Sequence, residues 1–332
     1  MPAAPPTRRR FLRLLAAQTA AGLAVLAAPG PARAAAPGRP QSWKGVALGL
    51  ESTIQIHHED SALAKALLEE ARAEALRLGD LFSLFNPQSA LSQLNARGSL
   101  RPAPRELLHL AAQGVRWGEL TEGAFDITIH PVCELLRQSA PQGPESFREP
   151  APEALKAALE LVDYRQIRLG RDGLRLERPG AKMTLNALAQ GYITDQVAAL
   201  LARRGVGHTL VDIGERRTLG AHPSGRPWRV GLESPEHPDR LGEILALEGQ
   251  SLAVSGAHAE PYSADARRHH LIEAATGASA RRYASVIVRG PDATTADALA
   301  TALHLVEPER GRRLLERFPA FEARFVGAAG ED

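Results

Sequence analysis

The 332-residue sequence contains a single cysteine, Cys133, so no intramolecular disulfide can form even in an oxidising compartment. The run Pro131 to Leu136 reads as the first turn of an amphipathic helix, which makes Cys133 a buried spectator in preference to a nucleophile. No His-x-x-x-His or Cys-containing spacing supplies zinc ligands. A glycine-rich phosphate fingerprint is also missing: the junction Leu185 to Asp195 holds one glycine, too few for a Rossmann or P-loop turn. There is no internal repeat, and no low-complexity tract beyond the N-terminal segment and the Pro-rich residues 35–40. Basic runs are confined to the first 34 residues, which carry five of the 40 Lys and Arg and no acid, leaving 35 basic against 38 acidic residues. That balance provides no polyelectrolyte footprint, so no nucleic-acid partner is expected.

The N-terminal segment has its own logic. Arg8-Arg9-Arg10-Phe11-Leu12 precedes an apolar stretch from Leu14 to Ala28, and Ala32-Arg33-Ala34 offers a small-residue cleavage site. The stretch is shorter than the roughly 20 apolar residues of a membrane span. Residues 1–34 are therefore expected to be a twin-arginine export signal, with a periplasmic mature protein that has no transmembrane helix after cleavage. Residues 35–45 are expected to be a flexible tail, and 46–332 one large domain or two intimate lobes.

Within that span, Val46 to His58 alternates as a strand, and Leu63 to Leu78 and Glu106 to Glu119 carry helical apolar stripes. Ala140 to Pro152 holds four prolines and is either a surface excursion or a seam; Ser234 to Arg240 is a shorter polar stretch. Short strands are expected at Gln166–Leu169, Leu174–Glu177, His208–Ile213, Trp228–Leu232, Ile244–Leu247, His270–Glu273 and Ala284–Val288, with a further strand ending at Gly256. Helices are expected at Ala189–Arg203, Thr294–Leu305 and Pro308–Phe318. Strands joined by short turns, with helices segregated, argue an α+β fold of largely antiparallel sheet.

One pair of side chains carries specific chemistry. Asp297 and Thr301 stand at i and i+4 of an Ala-rich helix, where a carboxylate and a hydroxyl converge on one point and suit a hard cation such as Mg²⁺. A first-turn charge and a hydroxyl bonded back to the helix would give the same spacing. Other segments place polar residues where a plain core would not need them. Gly123-Ala124-Phe125-Asp126-Ile127-Thr128 suits a cofactor edge or an N-cap. Leu185 to Asp195 follows an expected strand and opens a helix, the arrangement that can present free N–H groups to a phosphate. Val211-Asp212-Ile213-Gly214-Glu215 is a site edge or a hairpin exit. His269-His270 begins a strand, so at most one ring can face a site.

The order of these segments resembles the ApbE-type FAD:protein FMN transferase family across the mature sequence. The matching motifs are Ser92-Gln93-Leu94-Asn95, Gly123 to Asp126, Ala189-Gln190-Gly191-Tyr192 with Asp195, Val211 to Gly214, Ser255-Gly256, His270 to Glu273 with Thr276-Gly277, and Ala296 to Thr301. With the export signal, their spelling is most similar to the NosX-type branch that accompanies nitrous-oxide reductase. The resemblance implies a two-lobed, T-fold-like single domain over 46–332. It also implies a reaction in which FAD is the substrate: FMN is attached through its phosphate to a Thr or Ser of a target flavoprotein, a NosR-like membrane protein, and AMP leaves. By the same resemblance Mg²⁺ is held by Asp297, Thr301 and the main-chain carbonyl of Ala187. His270 is the general base, a role an imidazole of ordinary pKa near 6.5 can fill at neutral pH, and His269 points away from the site. Asn95, Phe125, Asp126, Thr128, Gly191, Tyr192, Asp195, Gly256 and Ile272 line the FAD pocket, and the small side chains of the Ala-rich helix let it lie close to the cofactor.

The chain departs from the family pattern at Gln190, where a Lys is usual, at Gly214-Glu215, one Gly short, and at Glu273-Ala274-Ala275, which lacks a Pro and an Arg. Two rivals share the motifs: a Mg²⁺-dependent FAD pyrophosphatase and a non-catalytic flavin-binding assembly protein.

Overall fold

The computed structural model describes residues 40–233 and 241–327. The expected export signal, residues 35–39 of the expected tail and the polar stretch Ser234 to Arg240 lie outside the described residues. The strands are β1 (Gln41–Ala47), β2 (Leu50–His57), β3 (Ser99–Leu100), β4 (Ile167–Leu169), β5 (Leu174–Leu176), β6 (His208–Ile213), β7 (Glu215–Leu219), β8 (Trp228–Glu233), β9 (Leu241–Leu247), β10 (Ser251–Gly256), β11 (Tyr283–Gly290) and β12 (Glu322–Gly327). The helices are α1 (Ser61–Phe82), α2 (Ala90–Arg97), α3 (Arg105–Leu120), α4 (His130–Gln138), α5 (Pro152–Leu159), α6 (Asn186–Arg203), α7 (Ala293–Leu305) and α8 (Pro308–Glu316).

Seven strands form the main sheet in the order β1-β2-β6-β7-β10-β11-β12, with every neighbouring pair antiparallel. The expected α+β class with antiparallel sheet is what the chain adopts. Local details differ from the sequence reading. The single strand expected over Val46–His58 is two, because Leu48 and Gly49 both take positive φ and close a tight turn. Consequently β1 begins at Gln41, and residues 41–45 belong to the sheet and not to a tail. The strand expected at His270–Glu273 is irregular, joined only by an isolated bridge between Ile272 and Ser279, because Glu273, Thr276 and Gly277 fold the chain into a turn. Strand β7 went unseen in the sequence because its Glu and Arg residues mimic a polar exit; in the fold Arg216 is buried and paired with Asp212.

Helix α1 shows why the elements assemble. Asp60 caps it by accepting from the Ala62 and Leu63 amides at 2.9 and 3.0 Å, and Leu67, Leu68, Ala71, Ala75, Leu78 and Phe82 make its buried stripe. Each buried Leu contributes about 1.5–3 kcal/mol. Ala140 to Pro152 runs over the surface, and α5 behind it packs on α4 through Leu155 and Leu159 beside Val132, Leu136 and Ile272. That stretch is an excursion from one domain. Cys133 belongs to the same small core, where burial pushes its thiol up to about 12, as expected of a spectator.

Helix α7 lies between α6 and strands β10 and β11. Residues Ala296 to His304 are all buried, so its alanines are explained by packing on both sides and not by an open face toward a cofactor. The tightest approach is at Gly191 of α6, where a Cβ would sit 2.6 Å from the Ala293 carbonyl carbon. Gly191→Val is therefore expected to lower stability by about 1–3 kcal/mol through overpacking. Chemical denaturation reads this as a lowered midpoint, and an unchanged midpoint would contradict the close crossing.

Candidate active site

The α6–α7 crossing builds the site. Gly191 N–H donates to Asp297 Oδ2 at 3.1 Å across 106 residues of sequence. In an α-helix the same N–H points at the carbonyl four residues earlier, which is that of Ala187. Gly191 stands one turn past Ala187, so this bond brings the Asp297 carboxylate to the first turns of α6. One turn along α7, Thr301 Oγ1 is 3.0 Å from Ser255 Oγ at the end of β10, and both hydroxyls are buried. A carboxylate, a main-chain carbonyl and a hydroxyl pair are the hard-oxygen donors that suit Mg²⁺, which keeps its remaining positions for water or phosphate. Among the described residues no three His, Cys, Asp or Glu side chains gather round one point, so no transition-metal cluster competes with this set.

The electrostatics agree with a cation. Asp297 is buried, and desolvation, opposed by the Gly191 bond and reinforced by Asp195, raises its pKa to about 7. Glu215 is also buried; desolvation and the Asp297 charge push its pKa well above the usual carboxylate range. Its Oε2 accepts from Val254 N at 3.2 Å. Burial likewise raises Asp212, although Arg216 pairs with it at 3.3 Å. Two buried acids close enough to feel each other's charge make a negative locus that a divalent cation would relieve. Glu215 falls in the segment read as a site edge or a hairpin exit and Ser255 in the strand ending at Gly256, but neither is named there as a cation neighbour.

His270 is half-buried, and its N–H donates to the Glu260 carbonyl at 3.2 Å, which folds its segment back on residues 260–262. Its charge is felt by His304, which lies on α7 one turn past Thr301. The rings of His270 and His304 each lie 6.3 Å from that of His269, which puts the His270 segment beside α7 past Thr301. His269, expected to point away from the site, is buried, its ring 6.3 Å from that of His304. Its Nδ1 accepts from Leu271 N at 3.3 Å, and burial, His270 and His304 push its pKa down to about 3.

Several expected pocket residues have internal tasks. Asp195 accepts from the Ala293 and Thr294 amides at 2.9 and 2.8 Å and pairs with Arg217, so it caps the start of α7 from the neighbouring helix. Asp126 accepts from Thr128 N at 2.7 Å, Thr128 Oγ1 at 2.6 Å and Tyr164 N at 2.8 Å. It acts as the N-cap of its turn, and desolvation raises its pKa despite those bonds. The Asn95 amide exchanges two 2.8 Å bonds with the backbone of Met183. Phe125 is buried against Trp117, Tyr192 lies edge-on to Phe82, and Ile272 joins the small core. The structure gives each of them a packing or hydrogen-bonding task, and none lines the cavity beside α6. Gly256 ends β10 directly after Ser255. Beside α6 is a cavity of about 150 Å³ lined by Leu48, Gly49, Ser83, Leu84, Phe85, Asn186 and Gln190. It adjoins the helix turn that carries Ala187.

A model of the ApbE family matches residues 48–325. A Vibrio cholerae protein named FAD:protein FMN transferase is 30% identical over 281 residues, 82% of this chain and 83% of its own. A Treponema pallidum protein of the same name is 30% identical over 288 residues, 80% of this chain and 78% of the relative. Among solved structures, the apo form of flavinyl transferase ApbE from Pseudomonas stutzeri has a TM-score of 0.76 at 28% identity, covering 90% of this chain and 94% of that one.

Proposed function

The chain belongs to the ApbE family, and from that premise we propose that it moves FMN from FAD to a Thr or Ser hydroxyl of an exported or membrane-bound electron-transfer protein. The acceptor oxygen forms a bond to the FMN phosphorus, the pyrophosphate bridge breaks, AMP leaves, and the hydroxyl proton passes to His270. Asp297, Thr301 and the Ala187 carbonyl would hold Mg²⁺. When bound, the ion neutralises charge on the phosphate oxygens. Asp195 and Gly191 keep α6 and α7 in register, so that the carboxylate stays at the first turns of α6. The cavity beside Gln190 would receive part of the dinucleotide, and His270 stands toward the other end of α7.

The observation that carries this reading is the bond from Gly191 N–H to Asp297 Oδ2, which fixes a buried carboxylate of α7 against α6 one turn past Ala187. The finer assignments are part of the same proposal. Export by the twin-arginine pathway, a periplasmic site of action, the NosX-type branch and a NosR-like target rest on residues 8–34 and on motif spelling. No helix among the described residues is long and apolar enough to cross a membrane.

Purified protein incubated with FAD, Mg²⁺ and a periplasmic domain carrying an Asp-Gly-x-Thr/Ser-Gly-Ala-Thr/Ser acceptor tests it. Covalent flavin on the target, with one AMP per FMN transferred, is the expected result. FMN release indifferent to the target would instead make the protein a hydrolase, and intact FAD would make it a binder.

A further inference from the structure

A bound dinucleotide brings a negatively charged pyrophosphate into a site whose buried ionisable groups include Asp126, Asp195, Asp212, Glu215 and Asp297. Cations close to those acids are already committed. Arg217 pairs with Asp195, Arg216 with Asp212, and Lys182 with Glu134 on α4 at 2.5 Å.

Arg137 is placed differently. It stands in the last turn of α4, with its guanidinium carbon 5.8 Å from the centroid of the Phe85 ring. Phe85 lines the cavity together with Asn186 and Gln190. From the other side, one guanidinium nitrogen donates to Glu260 Oε1 at 3.2 Å, and the Glu260 carbonyl accepts from His270 N. Arg137 thus stands between the cavity wall and the segment that carries His270. The side chain is 36% exposed, and the Glu260 bond engages one of five N–H donors. A planar fork with donors to spare is the side chain best matched to phosphate oxygens.

We propose that Arg137 anchors the substrate through a phosphate of the dinucleotide, between the Phe85 cavity and His270, an assignment that rests on the flavin-transferase reading. Equilibrium titrations followed by flavin fluorescence, with FAD and with riboflavin, test it on the wild type, Arg137→Gln, Arg137→Lys and Glu260→Gln. Arg137→Gln is expected to weaken FAD about ten- to a hundredfold, the effect of one charge-assisted contact, and to leave riboflavin within about twofold. Arg137→Lys should recover part of the loss. Glu260→Gln, which frees the guanidinium, should keep or tighten FAD affinity. Equal losses for FAD and riboflavin would overturn the phosphate assignment, as would a Glu260→Gln variant that copies Arg137→Gln, because Arg137 would then serve only to hold Glu260. If the wild type transfers FMN while Arg137→Gln binds FAD normally, this proposal falls alone. A wild type that neither binds FAD nor transfers FMN overturns the functional reading and the proposal with it.

Discussion

Asp297→Asn is expected to cut FMN transfer by about 10³-fold, because it removes the one carboxylate of the hard-oxygen set while preserving an acceptor for Gly191 N–H. Loss of the protein fold would be a trivial cause, and the raised pKa gives an expectation that separates it. The native metal-free protein holds the Asp297 proton up to about pH 7, whereas the unfolded chain releases it near 3.8. Stability contributed by this group is therefore present below 3.8 and lost as pH rises through about 7. Asn carries no such liability, so the variant should melt no lower than the wild type at pH 8. The same proton competes with the cation. Mg²⁺ affinity of the wild type, read by calorimetry, should rise up to tenfold per pH unit below about 7 and level off above it, with proton release on binding. A flat profile from pH 5.5 to 8.5, or near-normal transfer by Asp297→Asn, would remove Asp297 from the cation site.

His270→Ala should cost about 10²- to 10⁴-fold in transfer, the usual worth of a positioned general base. FAD binding should persist, since the anchoring groups lie on α4, α6 and α7. The measurement is single-turnover labelling of the acceptor domain beside an FAD titration. Normal labelling by His270→Ala would sink the base assignment. A variant that loses FAD binding as well would mean that His270 shapes the pocket and not the proton transfer. Its half-buried position and its link to Glu260 keep it near both the cavity wall and the far turn of α7.

Much of this was legible before any coordinates. The i, i+4 pair on α7, the apolar stripe of α1, β6 over His208–Ile213 and the spectator role of Cys133 follow from periods of 3.6 and 2 and from local composition. The two-strand hairpin at Leu48-Gly49 was missed because only one of its turn residues is a glycine, and a non-Gly residue at positive φ leaves no mark in the sequence. Strand β7 was missed because buried charge looks like surface charge until its partner is known; Asp212 is that partner for Arg216. Asp195 was grouped with the pocket, yet its oxygens are engaged at the start of α7, a contact across 98 and 99 residues that no local pattern carries.

Taken alone, the sequence determined the class of fold, the order of the motifs, the absence of an intramolecular disulfide, and the presence of a carboxylate and a hydroxyl on one helix face. These depend on near neighbours along the chain, where backbone geometry dictates which side chains meet. Only the tertiary structure decided that Gly191 of α6 bonds to Asp297, that Glu215 is buried within reach of the Asp297 charge, that the alanines of α7 are buried on both sides, and that Arg137 reaches between Phe85 and Glu260. Each of these joins residues from separate elements, and the charge state of Asp297 depends on how completely those elements exclude water. Desolvation and through-space charge arise from packing, which the linear order of residues does not contain.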